Sequence, residues 1–116
     1  MKKVLLPLFF CVVFPLWVMA ADVTPQSLSG KWLFTHMKLD GTIERKVNRI
    51  MEFKSDGVVI NYDAVGKESS RATYKIKEGL IVYSDQRGDQ KWKVKKFSKE
   101  DLHVDHSGAE MFFKRQ

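Results

Sequence analysis

The chain has 116 residues, a formal net charge of +6, 44% hydrophobic residues and 12% aromatic residues. This length leaves room for one domain rather than two. The apolar and aromatic content excludes an intrinsically disordered chain, because such chains have too little apolar surface to bury.

The first twenty residues have the layout of a secretory signal peptide. Two lysines at positions 2–3 precede an uncharged apolar run over residues 4–19, and Val18-Met19-Ala20 lies at its end. Small residues at the first and third of these positions fit a signal-peptidase site. A membrane helix needs about 20 apolar residues, and this run is shorter and contains Pro7 and Pro15. We therefore expect cleavage rather than anchoring.

Cleavage after Ala20, or after Ala21 as the alternative, would remove the one cysteine of the chain, Cys11. Phe9 and Phe10 precede this cysteine inside the apolar run, which does not fit a lipoprotein signal. Loss of the two lysines lowers the net charge to +4. The exported chain would then have no disulfide, zinc–thiolate site or thiol nucleophile. We expect a bacterial protein of the periplasm or the medium, with a signal peptide over 1–20, a lead-in over 21–29 and one domain over 30–116.

Apolar and polar residues alternate with a period of two through most of the remaining chain. This pattern predicts about eight short strands, since no segment keeps a helical period over ten residues. Turn signals separate the strands at Asp40-Gly41, Asp56-Gly57, Gly66-Lys67, Glu78-Gly79, Gly88, Ser98–Asp101 and Ser107-Gly108. Short connections favour antiparallel pairing of consecutive strands, and closure removes the exposed edges. The predicted fold is all-β, an eight-stranded antiparallel up-and-down barrel.

The start of the first strand, Gly30-Lys31-Trp32, resembles the Gly-x-Trp motif of the lipocalins and their small bacterial lipocalin-like relatives. The hairpin over 53–57 and the last strand over 108–115 are similar to this family as well. The resemblance implies that Trp32 closes the bottom of the barrel and that Arg115 packs over its ring. Such a pair of guanidinium and indole is a favourable cation–π arrangement.

The alternation that contains Trp32 predicts which side chains face the interior. The predicted inward set is Trp32, Phe34, His36, Phe53, Val58, Ile60, Tyr62, Ala72, Tyr74, Ile76, Trp92, Val94, Leu102, Val104, Met111 and Phe113. The opposite face of the first strand, with Leu33, Met37 and Leu39, is also apolar enough to face inward. An eight-stranded barrel can be filled by side chains or can hold one small ligand, and the sequence leaves both open.

A pocket at the barrel mouth would be lined by the aromatic and histidine residues of this set. The predicted ligand-binding residues are Phe34, His36, Tyr62, Tyr74, Trp92 and His106. Pockets are mainly apolar with a few converging polar groups, so the expected ligand is a small apolar or amphipathic molecule. The alternative is that the histidines lie at a wet rim and that the tyrosines anchor the core.

Basic residues occupy the outward positions of two predicted strands. They are Arg71, Lys75, Lys91, Lys93 and Lys95, and we call them the basic wall. One hypothesis is that a solid barrel binds an envelope protein, as an inhibitor for instance, or an anionic envelope component through its loops or this wall. The alternative is a solvated face whose lysines discourage edge pairing.

The sequence contains no nucleophile elbow, phosphate loop or His-Glu-x-x-His motif, so we predict a non-enzymatic protein without a cofactor. His103 and His106 are separated by an odd number of positions and would face opposite sides of a strand, which disfavours a shared metal site. No aromatic platform for nucleic acid is present. The oligomeric state stays open.

Overall fold

The computed structural model describes residues 23–116. The predicted signal peptide over 1–20 lies outside this part of the chain. Within 23–116, no helix has the length and apolar character needed to cross a membrane.

Eight antiparallel strands follow one short helix and close into a barrel in which each strand pairs with its neighbours in sequence. The first and last strands also pair with each other, so the sheet has no free edge. The elements are α1 (Pro25–Leu28), β1 (Gly30–Leu39), β2 (Ile43–Phe53), β3 (Val58–Tyr62), β4 (Glu68–Lys77), β5 (Leu80–Asp85), β6 (Gly88–Phe97), β7 (Asp101–His106) and β8 (Ala109–Arg115). The predicted fold class is confirmed.

Two of the predicted turn signals form two-residue hairpins with positive φ angles at both positions. Glu78 and Gly79 have φ angles of 53° and 78°, and Ser107 and Gly108 have 51° and 88°. Two consecutive left-handed residues are the requirement of a type I′ turn, whose twist matches that of the strands. These dipeptides therefore fix the β4–β5 and β7–β8 connections.

One end of the barrel is closed by α1. The Thr24 side chain accepts a hydrogen bond from the backbone N–H of Ser27, and the Ser27 side chain accepts one from Thr24 N–H. This capping box starts a helix of one turn and places Leu28, which is fully buried, beneath the strands. Trp32 Nε1 donates to the Leu28 carbonyl at 2.8 Å. Helix and first strand are thus joined at what we call the closed end.

The closed end contains the tightly packed part of the core. The largest fully buried side chains are Trp32, Phe53, Leu28, Ile81, Leu102, Val59 and Val104. The other end, where β1 and β2, β3 and β4, β5 and β6, and β7 and β8 are joined, is called the open end. The barrel is therefore solid at one end, and the question of a pocket concerns the other.

Candidate functional site

A cavity of about 580 Å³ lies at the open end of the barrel. Its deep wall is apolar: Trp92, Met111, Met51 and Tyr83 all line it and are buried. The Tyr83 and Trp92 rings stack with centroids 4.9 Å apart. This volume falls in the usual range for small-molecule pockets, and the wall offers a ligand an apolar contact surface.

Three arginines line the outer part of the same cavity: Arg49, Arg71 and Arg87. Arg71 pairs with Glu68 at 2.7 Å. Arg87 pairs with Asp85 at 3.3 Å. Arg49 has no ion-pair partner among residues 23–116. The rim therefore has two compensated cations and one uncompensated cation.

The carboxyl of Asp85 is held in its charged form. The backbone N–H of Arg87 donates a hydrogen bond to Asp85 Oδ1 at 2.9 Å and is the main reason that the pKa of this carboxyl is lowered. Likewise, the Arg71 side chain lowers the pKa of Glu68. Both acids are therefore charged near neutral pH and keep their arginines paired.

Neutral polar groups also line the cavity. Asn61 Nδ2 donates to the hydroxyl of Tyr83 at 3.3 Å and to Ser70 Oγ at 3.2 Å. Trp92 Nε1 donates to Gln90 Oε1 at 3.1 Å. These bonds fix the orientation of the Tyr83 and Trp92 rings, so the apolar wall is preformed.

The chain is similar to solved structures of known fold. An uncharacterized protein from Bacteroides eggerthii matches with a TM-score of 0.66 and 15% identity, over 77% of this chain and 99% of that one. A lipocalin-like protein from Bacteroides uniformis matches with a TM-score of 0.63 and 19% identity, over 78% and 99% of the two chains. The chain has a lipocalin-like β-barrel fold. No family model and no curated protein matches the sequence.

The lipocalin-like barrel brings three of the six predicted ligand-binding residues to the cavity: Phe34, Trp92 and His106. His106 Nδ1 is buried and has no hydrogen-bond partner within the described residues. Tyr74 faces the interior but lies toward the closed end, where its hydroxyl donates to the Lys54 carbonyl at 2.6 Å. Whether the three cavity residues bind a ligand stays a prediction.

The prediction that His36 faces the interior is wrong. Thr35 is an extra residue of β1 against β8, and two residues of β2, at positions 47–48, face it on the other side. His36 therefore leaves the inner face, and Met37 lines the cavity together with Phe34. His36 lies on the outer wall, where its ring stacks on Phe112 at 4.4 Å between centroids. Simple alternation fails here because a bulge adds one residue to the strand.

Tyr62 is also outside, which corrects a second predicted inward position. Its hydroxyl donates to Glu52 Oε1 at 2.6 Å, and this hydrogen bond raises the pKa of the tyrosine. The ammonium of Lys31 lies 5.1 Å from the ring centroid. Tyr62 faces outward because Val59 and Asn61 occupy the inner face of β3, where they contact the core and the cavity. Val58 and Ile60, predicted as inward, share the outer phase of Tyr62.

The outer wall holds a row of stacked rings across three strands. Phe112 on β8 lies between His36 on β1 and His103 on β7, with the second pair 4.1 Å apart. His103 Nε2 also contacts Glu110 Oε1 at 2.8 Å. A second cavity of about 330 Å³ borders this row. His36 therefore packs against a neighbouring strand on the outer wall.

The five residues of the basic wall are all exposed, but Arg71 also lines the cavity at the open end, so the prediction that it belongs to the outer wall alone is wrong. Lys75 and Lys91 flank Val82 on the outer wall, and Val82 is only 6% exposed. Lysine stems cover apolar surface while their ammonium groups stay in water. Apart from Arg71, none of the five has an ion-pair partner within residues 23–116.

The position of Arg49 in the cavity lining was not predicted from the sequence. Arg49 pairs with Phe34 across β1 and β2 and shares its inner face. A charged residue in the same phase as the buried Met51 and Phe53 was the available signal, because an unpaired charge is costly to bury and must reach solvent. In the described part of the chain, no cluster of three or more His, Cys, Asp or Glu side chains could hold a metal ion.

Proposed function

We propose that this exported, non-enzymatic protein binds one small apolar or amphipathic molecule in the cavity at the open end of its barrel. The observation that carries the proposal is the cavity of about 580 Å³ with a buried wall of Trp92, Tyr83, Met51 and Met111. The lipocalin-like fold agrees with ligand binding in general. Export is supported by the N-terminal sequence alone.

Filling the cavity provides the direct test. Ala109 lines the cavity, so Ala109→Phe would place a phenyl ring in it. Isothermal titration calorimetry with decanol should give a binding heat for the wild-type protein recovered after export. Loss of two buried CH₂ contacts at about 0.8 kcal/mol each weakens binding about tenfold, and we expect at least this effect.

The control adds the same ring on the outer wall. Thr73 is exposed on β4, and Thr73→Phe should bind decanol as the wild type does. Circular dichroism should show both variants folded. Equal decanol affinity in wild type and Ala109→Phe would remove the cavity as the site.

A second candidate function concerns the basic wall, because Lys75, Lys91 and Lys93 are exposed and form no ion pair with a described residue. We propose that this face contacts an anionic envelope surface. The triple change of these lysines to Glu should abolish sedimentation with phosphatidylglycerol vesicles, and phosphatidylcholine vesicles should not bind the wild type. Unchanged sedimentation of the triple variant would contradict this role.

A further inference from the structure

The charged side chains around the cavity leave one positive charge without a partner, and this charge indicates which class of ligand would bind. Four side chains that are charged at neutral pH line the cavity, namely three arginines and Asp85. Two arginines are compensated by Glu68 and Asp85. The remaining positive charge belongs to Arg49.

Arg49 lies on a different side of the mouth from the acidic residue. It belongs to β2, whereas Asp85 ends β5, three strands away in a closed barrel of eight. An anionic group beside Arg49 therefore avoids the carboxylate of Asp85. Glu68, on β4, is occupied by two hydrogen bonds from Arg71, at 2.7 and 3.2 Å.

The apolar wall begins directly beside Arg49. Arg49 pairs in register with Phe34, and the Phe34 ring stacks on Phe113 of the core with centroids 4.8 Å apart. Two neighbouring side chains on the same face of adjacent strands lie about 5 Å apart, so one ligand can contact both. A molecule with its head at Arg49 would thus have its tail over Phe34 and toward Trp92.

We infer that the ligand is an amphipathic anion whose carboxylate or similar acidic head binds the Arg49 guanidinium and whose apolar tail lies against Phe34 and Trp92. This inference rests on the proposed binding function and adds the charge and the orientation of the ligand. A guanidinium presents a planar fork of donors that matches a carboxylate in two hydrogen bonds. An ammonium head would be repelled by the guanidinium, and a neutral head would accept weaker hydrogen bonds because it has no negative charge.

Three probes with the same ten-carbon tail separate the head from the tail. They are decanoate, decanol and decyltrimethylammonium, each titrated calorimetrically into the protein recovered after export. We expect decanoate to bind about tenfold more tightly than decanol, the effect of one charge-assisted interaction at a wet rim. The cationic probe should bind most weakly, and added salt should reduce the preference.

Two variants on β2 locate the head group. Arg49→Gln should lower decanoate affinity to that of decanol and leave decanol affinity unchanged. Lys46→Gln is the control, because Lys46 lies on the same strand, is exposed, pairs with His36 on the outer wall and does not line the cavity. It should keep the full preference for decanoate.

The outcomes distinguish the two proposals. Equal binding of decanoate and decanol by the wild type, or an unchanged preference in Arg49→Gln, would overturn the anion inference and leave the binding function standing. Failure of all three probes to bind would overturn the binding function and the inference with it.

Discussion

The guanidinium of Arg115, the next-to-last residue, lies 4.2 Å from the ring centroid of Trp32, the first fully buried residue of β1. Arg115 also donates to three backbone carbonyls: Ser27 at 2.7 Å, Ser29 at 2.8 Å and Lys99 at 2.6 Å. One side chain thus joins the end of the last strand to the helix, the first strand and the β6–β7 loop. This is the arrangement that the resemblance implies.

Replacement of Arg115 by Ala should lower the free energy of unfolding by about 3 kcal/mol, because the charge-assisted hydrogen bonds and the cation–π contact are lost together. Arg115→Lys keeps the positive charge but loses the planar guanidinium with its several donors. This variant should recover less than half of the lost free energy of unfolding. Urea denaturation measures both. Lys114→Ala removes only the partly exposed pair with Asp101 and should cost less than about 1 kcal/mol. A stability of Arg115→Ala equal to that of Lys114→Ala would contradict the assigned role.

Gly30 faces the same guanidinium. Its φ angle is +127°, and an added Cβ would lie 2.9 Å from Arg115 Nη1. Gly30→Ala should therefore cost at least about 2 kcal/mol, through backbone strain and displacement of the arginine. Gly66→Ala is the control, since Gly66 has φ +87° but open space around it. Thermal denaturation should rank Gly30→Ala as the less stable variant, and the reverse order would contradict the contact.

Alkaline pH should destabilise the barrel through Tyr74. Burial raises the pKa of this tyrosine above its usual value of 10.0. Because the folded-state pKa is raised, the stabilisation is fully present below pH 10.0 and is lost as the pH rises through the folded-state pKa. Tyr74→Phe should show a shallower loss of unfolding free energy from about pH 9 to about pH 11. Equal slopes for the two proteins would show that Tyr74 does not contribute.

Phe34 and His36 should differ in their effect on ligand binding, although they lie two positions apart on one strand. Phe34→Ala removes a cavity contact and should weaken decanoate binding about tenfold. His36→Ala, on the outer wall, should leave the dissociation constant within about twofold, since it does not contact the cavity. Calorimetric titration of both variants checks this. A larger loss for His36→Ala would contradict the bulge-based assignment of the inner face.

The sequence predicted the barrel because strand spacing and turn chemistry are local. Glu78-Gly79 and Ser107-Gly108 form tight hairpins in which both residues have positive φ angles, and glycine at the second position adopts that conformation without strain. The phase of β3 was not predictable in the same way. Val58, Val59 and Ile60 are consecutive apolar residues, so alternation cannot select the inner face there.

The candidate site was predicted only in part, for a physical reason. Phe34, Trp92 and His106 follow regular alternation and reach the cavity. The irregularity at Thr35 arises where β1 pairs with β2 and β8. Pairing between segments that are distant in sequence cannot be predicted from the alternation within one strand. The same register places Arg49 at the mouth, which is why the charge of the site emerged only from the structure.

If the open end of this barrel holds a small molecule, the protein should carry one when it is isolated. Native mass spectrometry of the protein purified from its own host measures this occupancy. We predict a species heavier than the bare polypeptide by the mass of a small amphipathic molecule, and its absence in Ala109→Phe. A wild-type protein that carries no added mass and shows no binding heat with decanol or decanoate would contradict the account.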